Sequence, residues 1–99
     1  MGIFNQVREI VKHIPKGKVT TYGTIANKIG TSDARLVGWA IWGNRDSSIP
    51  CHRVVKKDGW LSPKFSLGGA AEQRKRLEED GLKFSNPQRV DLVKYLWSP

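Results

Sequence analysis

The run 49–55, IPCHRVV, sets the chain's only cysteine, Cys51, directly after Pro50 and directly before His52, one of only two histidines. A thiol beside an imidazole is a candidate nucleophile. The thiolate attacks carbon far better than the thiol, and a free cysteine of pKa about 8.5 stays mostly protonated at neutral pH unless a base or a positive charge intervenes. His52 offers the base and Arg53 the field. The same residues also allow a plainer reading, in which Cys51 is a small buried hydrophobe and His52 lies at the surface. A lone cysteine cannot close an internal disulfide, and Cys51 with His13 and His52 lacks the paired spacing of a structural zinc site. Neither a metal nor a cofactor is expected.

The elements that must position this run are mostly helical. Ile3, Phe4, Val7, Ile10 and Val11 recur at helical spacing, so residues 3–13 read as an amphipathic helix ending before the turn Pro15-Lys16-Gly17. The short β-branched stretch 18–21 leads to Thr21, a cap for a second helix over 22–29 with Ile25, Ala26 and Ile29 inward and Gly30 as its stop. Ser32 or Asp33 caps a third helix over 34–42, ending near Gly43-Asn44. Two short helices joined around Gly30-Thr31-Ser32 form a helix-turn-helix candidate. On the third, Ala34 and Gly38 lie i and i+4, leaving a nearly bare face suited to close approach by a DNA backbone or a neighbouring helix.

After the motif, Val54-Val55, a turn at Asp58-Gly59, and Trp60-Leu61 read as a short hairpin, which would be a wing. Ser66 to Gly69 break the chain before a helix over 70–79, which closes on Asp80-Gly81. The tail 90–99 is expected to pack on the outside of the core. The expected fold is mainly α: a winged-helix-like helix-turn-helix DNA-binding domain with a short β-hairpin.

Ninety-nine residues make one domain, 1–99, with a single small core. Lys and Arg outnumber Asp and Glu 17 to 9, a formal charge of +8. Such a field favours polyanions, nucleic acid first, with anionic membrane and simple solubility as the other readings. There is no run of about 18 apolar residues to span a bilayer and no secretory h-region near Met1. The expectation is a cytoplasmic, monomeric protein without membrane association, located wherever the DNA is, nucleoid-associated or nuclear.

IPCHRVV resembles the signature of the O6-alkylguanine-DNA alkyltransferases, whose cysteine accepts an alkyl group from damaged guanine. The likeness extends along the chain. GKVTTYGTIA (17–26) resembles the segment leading into that family's helix-turn-helix, ARLVGWA (34–40) resembles its recognition helix, and RLEEDGL (76–82) its acid-bearing helix end. The ending VDLVKYLWSP (90–99) looks more like the alkyltransferase-like branch, in which the cysteine slot usually holds tryptophan or alanine and the lesion is bound without transfer. Two departures stand out. The acid before the glycine is Asp80 where the family has glutamate, one methylene shorter toward His52, and the loop from Asn44 to Cys51 is one residue shorter than in the active enzymes.

The resemblance implies a partner, double-stranded DNA containing O6-alkylguanine, and a set of roles. Arg35 enters the base stack as the nucleotide flips out, with Ala34 and Gly38 letting the helix sit close in the minor groove. Tyr22, with Thr21 beside it, steers the phosphate and meets the extruded base. Lys57 and Lys64 reach phosphate or the alkylated base. Asn44 holds the loop before Cys51, Asp80 orients His52, and Arg53 anchors the motif by an internal salt bridge. One implied function is a methylated-DNA–[protein]-cysteine S-methyltransferase, a single-turnover acceptor. The alternative is an alkyltransferase-like sensor that grips the lesion and recruits another pathway, such as nucleotide excision repair. A more remote third is a basic winged-helix protein with no lesion preference.

Overall fold

The computed structural model describes residues 2–44, 46–62 and 68–99. Among these residues five α-helices accompany one two-stranded parallel ribbon: α1 (Ile3–Lys12), β1 (Thr20–Thr21), α2 (Tyr22–Ile29), α3 (Ala34–Trp42), β2 (Val54–Val55), α4 (Gly69–Glu79) and α5 (Leu92–Tyr95). Lys64, expected to reach DNA, and Ser66-Leu67, expected to break the chain before α4, lie outside the described residues.

The helix ends follow local chemistry. The Thr21 hydroxyl accepts the Thr24 N–H (3.1 Å) and caps α2, and the Asp33 carboxylate accepts the Arg35 N–H (3.0 Å) and caps α3. α2 stops at Gly30 in the left-handed region (φ 84°), with Gly30 N–H donating to Asn27 O and Thr31 N–H to Ala26 O. That pair satisfies carbonyls the helix end would otherwise leave open. Val7 and Val11 of α1 are buried as the periodicity requires, whereas Ile3 and Phe4, on the first turn, stay half-exposed.

Two apolar clusters form. The first joins α1, α2 and α3 through Val7, Val11, Ile25, Val37 and Ile41, and takes in Val54. The second gathers Val19, Val55, Leu61, Leu77, Leu82, Val90 and Tyr95. Adjacent residues of a strand point to opposite faces, so Val54 enters one cluster and Val55 the other. The motif strand therefore sews the two halves together.

That double burial corrects the expected hairpin. Val54-Val55 pair in parallel with Thr20-Thr21, not with Trp60-Leu61. A strand buried on both faces belongs inside, beside another interior segment, and an exposed two-stranded wing leaves one face wet. The turn itself does form: Asp58 (φ 63°) and Gly59 (φ 94°) take positive φ, and Lys56 N–H donates to Trp60 O (2.8 Å). Trp60 bridges to Arg89 instead. A side chain at Gly59 would be driven into the Val90 carbonyl, so glycine is required there for packing as well as for φ.

The tail also departs from expectation. Val90 and Tyr95 lie inside the second cluster, Val19 N–H donates to Tyr95 O (3.0 Å), and Trp97 N–H to Val19 O (2.8 Å). Val93 alone of the tail's large apolar side chains is fully exposed. The buried Gln73 of α4 completes the frame. Its Oε1 accepts Ser62 N–H (2.8 Å), and its Nε2 donates to Val54 O (2.8 Å) and His52 O (3.2 Å). One amide thus ties the motif to α4 and to the segment after the turn. No helix of the described residues is long and apolar enough to cross a membrane.

Candidate active site and DNA-facing cleft

Cys51 opens a short 3-10 turn, Cys51–Arg53, immediately after Pro50. Its half-buried sulfur takes a hydrogen bond from Asn44 Nδ2 (3.4 Å) and faces Ile41 O at 4.0 Å. Asn44 also donates to Asp46 O (3.0 Å) and accepts from Asp46 N–H (3.3 Å), while Asp46 receives Ser48. The shortened loop thus still brings Asn44 to the thiol.

One residue on, His52 Nε2 lies 2.8 Å from Asp80 Oδ2. The shorter acid reaches its histidine because α4 ends against the 3-10 turn and Arg53 grips the carboxylate. Arg53 Nε donates to Oδ2 (2.8 Å), Nη2 to Oδ1 (3.2 Å) and Nη1 to Ile14 O (2.9 Å). Arg53 is the internal anchor that the sequence suggested. With Nε2–H donated to Asp80, the neutral imidazole keeps Nδ1 as a proton acceptor. Cys51 and His52 make no direct hydrogen bond to each other, so a proton passing between them needs a bridging water.

Electrostatics set the resting state. Burial pushes the Cys51 thiol above its ordinary 9.0, outweighing the Asn44 hydrogen bond and the Arg8 guanidinium, which pull it down. Burial likewise lowers His52 from 6.5 against the opposing pull of Asp80. Burial works to raise Asp80, but hydrogen bonds from Arg53 and His52 outweigh it and leave the carboxyl below 3.8. The resting pair is therefore a neutral thiol beside a neutral imidazole. Alkylation of Cys51 by iodoacetamide in the free protein is expected to be slow at pH 7, where about 1% or less is thiolate, and to climb steeply through pH 9. A rate already level below pH 8 would contradict this resting state.

A cavity of about 320 Å³ is lined by Tyr22, Ala34, Arg35 and Gly38, four of the expected DNA-binding residues, and by Trp42, Lys56 and Ser62. Burial raises the Tyr22 hydroxyl above 10.0, outweighing the Ser62 and Trp42 side chains, which lower it, and a thiolate at Cys51 would raise it further. Tyr22, Trp42 and Cys51 all pack against the first apolar cluster. Arg35 is exposed and folded onto its own helix cap, with Nε to Asp33 Oδ1 at 3.0 Å and Nη2 to Oδ2 at 3.1 Å. A solvent-exposed ion pair of this kind is easily exchanged for a phosphate or a base stack.

The face expected to be bare is not bare at Gly38. The six-membered ring of Trp42 lies over it, with two ring atoms 3.3 Å from where a Cβ would stand. The i, i+4 spacing of Gly38 and Trp42 was visible in the sequence and could have signalled this. Thr21 is occupied with capping α2 and neighbours the cleft through Tyr22. Lys57 sits exposed on the 56–60 turn, and it is Lys56 that lines the cavity. Trp39, half-exposed, stands one turn beyond Arg35 on the same stripe of α3. Among the described residues no cluster of three or more His, Cys, Asp and Glu side chains could hold a metal.

The family model described as "6-O-methylguanine DNA methyltransferase, DNA binding domain" matches residues 2–82. The alkyltransferase-like protein 1 of Schizosaccharomyces pombe is 35% identical over 97% of this chain and 94% of its own. The crystal structure of S. pombe Atl1 in complex with damaged DNA containing O6-carboxymethylguanine matches with a TM-score of 0.85 over the same shares. A DNA base-flipping protein of Vibrio parahaemolyticus is 39% identical over 95% of this chain and 94% of its own length. A methylated-DNA–protein-cysteine methyltransferase of Pyrobaculum aerophilum is 48% identical over 78% of this chain, which spans about half (51%) of that enzyme. With the helix-turn-helix, the cleft and the Cys51 motif already in place, these likenesses decide the family: the chain belongs to the 6-O-methylguanine DNA methyltransferase DNA-binding domain family.

Proposed function

We propose that this protein turns an O6-alkylguanine out of duplex DNA into the Tyr22 cleft and transfers the alkyl group irreversibly to Cys51. The observation that carries the reading is the unbroken line from Asp80 to His52 (2.8 Å), with Asn44 holding the adjoining sulfur (3.4 Å). A site kept only for binding has no use for an oriented base beside a retained thiol.

Arg35 leaves Asp33 and fills the gap in the stack as the nucleotide swings out. His52 Nδ1 takes the Cys51 proton through a water, Asp80 steadies the imidazolium, and the sulfur attacks the carbon bonded to O6. The S–C bond forms as the C–O6 bond breaks. Guanine is a poor leaving group as its anion, and the Tyr22 hydroxyl, held protonated by its raised pKa, donates to the departing base. The thioether on Cys51 has no route back to a thiol, so each molecule acts once.

A second reading, lesion binding without transfer that recruits a pathway such as nucleotide excision repair, is favoured by one observation. Burial holds the thiol protonated at rest. Intact-protein mass spectrometry after incubation with excess O6-methylguanine duplex separates the two. Replacement of one hydrogen by methyl, mapped to Cys51 and absent with unmodified duplex, is the expected result. No gain under conditions where a gel shift shows tight lesion binding would establish the sensor.

A further inference from the structure

Transfer to Cys51 passes through a thiolate, and the cation beside it in the sequence does not serve it. Arg53 is fully engaged elsewhere, with Nε and Nη2 on the Asp80 carboxylate and Nη1 on Ile14 O. A different arginine comes to the thiol's surroundings from α1. Arg8 Nη2 donates to Ala40 O (3.4 Å), and the Cys51 sulfur faces the next carbonyl of α3, Ile41 O, at 4.0 Å. The two side chains thus approach the last turn of α3 at adjacent carbonyls. Arg8 and Asn44 also line one cavity of about 370 Å³, and Asn44 is the residue that donates to the sulfur (3.4 Å). Arg8 is partly buried, yet among the described residues it forms no ion pair and its buried Nε has no hydrogen-bond partner. The acids that share its cavity are held by others: Glu9 pairs with Lys12 (3.8 Å), and Asp46 accepts from Ser48. A guanidinium does not lose its proton, and a buried donor left open carries a cost that packing does not recover. Of the other groups around the thiol, Asp46 opposes its ionisation, while Tyr22 of α2 and His52 are neutral at pH 7. Arg8 is the cation that favours the ionised form.

We propose that Arg8 supplies the fixed positive charge that steadies the Cys51 thiolate during attack on the alkyl carbon, the part that the sequence offered to Arg53. It takes part in no bond change and acts on the sulfur through its charge, so it is a positioning residue. This rests on the transfer reading above and adds the source of the field.

The test uses the full chain, as wild type, Arg8→Lys, Arg8→Gln and Arg8→Met. Each is alkylated with iodoacetamide without DNA from pH 7 to pH 10, below the Tm measured on the same preparation. Lysine keeps the charge, glutamine keeps a neutral donor, and methionine keeps only an apolar stem. The two neutral variants are expected to react about fivefold more slowly at pH 8, the order of one partly screened charge. The gap should narrow toward pH 10 as thiolate forms in all of them, and Arg8→Lys should recover most of the loss. Either neutral variant carries the test if the other does not fold. A loss of the same size at every pH, a lysine variant as slow as the neutral ones, or neutral variants as fast as wild type would overturn the proposal. On excess O6-methylguanine duplex, single-turnover transfer should slow in the neutral variants by the same factor of about five. A wild type that binds the lesion and transfers nothing would overturn the transfer reading, and with it Arg8's part in the reaction. The DNA-free profile would still decide whether Arg8 steadies the thiolate.

Discussion

Cys51→Ala is expected to abolish alkyl transfer outright while leaving affinity for O6-alkylguanine duplex nearly intact. In the proposed reaction the sulfur alone bonds to the alkyl carbon, so its removal leaves no slower route. The groups that would grip the lesion are elsewhere, in Tyr22, Arg35 and the α3 face of the cleft. Arg35→Ala is the complementary variant. It leaves the relay untouched and is expected to weaken binding to every lesion by roughly tenfold, the worth of about 1.4 kcal/mol. Mass spectrometry and gel shift on the same preparations separate the two effects. Alkyl transfer surviving in Cys51→Ala would show that the nucleophile has been misassigned.

Asp80→Ala is expected to carry the largest cost in stability, about 3 kcal/mol, because removing one member of a buried ionic network strands the others. The three side chains are 10% (Asp80), 14% (His52) and 16% (Arg53) exposed, and Asp80 alone receives both the imidazole and the fork of the guanidinium. For a chain of this size the loss corresponds to a fall in Tm of more than about 10 °C. Transfer should fail as well, since His52 loses its orientation.

The same network sets how stability responds to acid. The Asp80 carboxyl titrates below 3.8 in the folded protein, so its contribution is complete above that pH and is lost as pH falls through the depressed folded value. His52 is held neutral, with a folded pKa below 6.5. Between 6.5 and that lower value the unfolded chain binds the proton first, and acidification again destabilises. Both effects have the same sign. Thermal unfolding of the wild type should show Tm falling as pH drops from 7 and falling further below pH 4, with the lower limb missing in Asp80→Ala. A wild-type Tm that stays level from pH 7 to pH 3 would remove the network from any role in stability.

Much of the frame was legible residue by residue. Thr21, Asp33 and Gly30 mark the helix ends because caps are local: a side-chain oxygen reaches an amide two or three residues away, and a glycine takes a left-handed φ wherever the chain must turn. The turn at Asp58-Gly59 was legible for the same reason. Its strands were not, because the choice between pairing Val54 with Trp60 and pairing it with Thr20 depends on which faces end up buried. That information is spread over both apolar clusters. The tail was misread on similar grounds, since its apolar residues do not say which side of Val19 they will cover.

What the sequence determined by itself was the set of candidate reacting groups and their order: a thiol, a base beside it, an acid 29 residues on, and an arginine at the start of a capped helix. Only the tertiary structure decided whether those groups meet. Asp80 reaches His52 across 28 residues despite its shorter side chain because α4, held by Gln73 to the backbone of His52 and Val54, delivers its end to the motif. Trp42 covers Gly38 and lines the cleft with Tyr22 because a helix stacks every fourth side chain, and the thiol whose pKa burial raises packs against the apolar cluster that α1, α2 and α3 build together. Residue types and local caps are properties of short stretches of chain, while distance, burial and pKa are sums over everything the fold brings near.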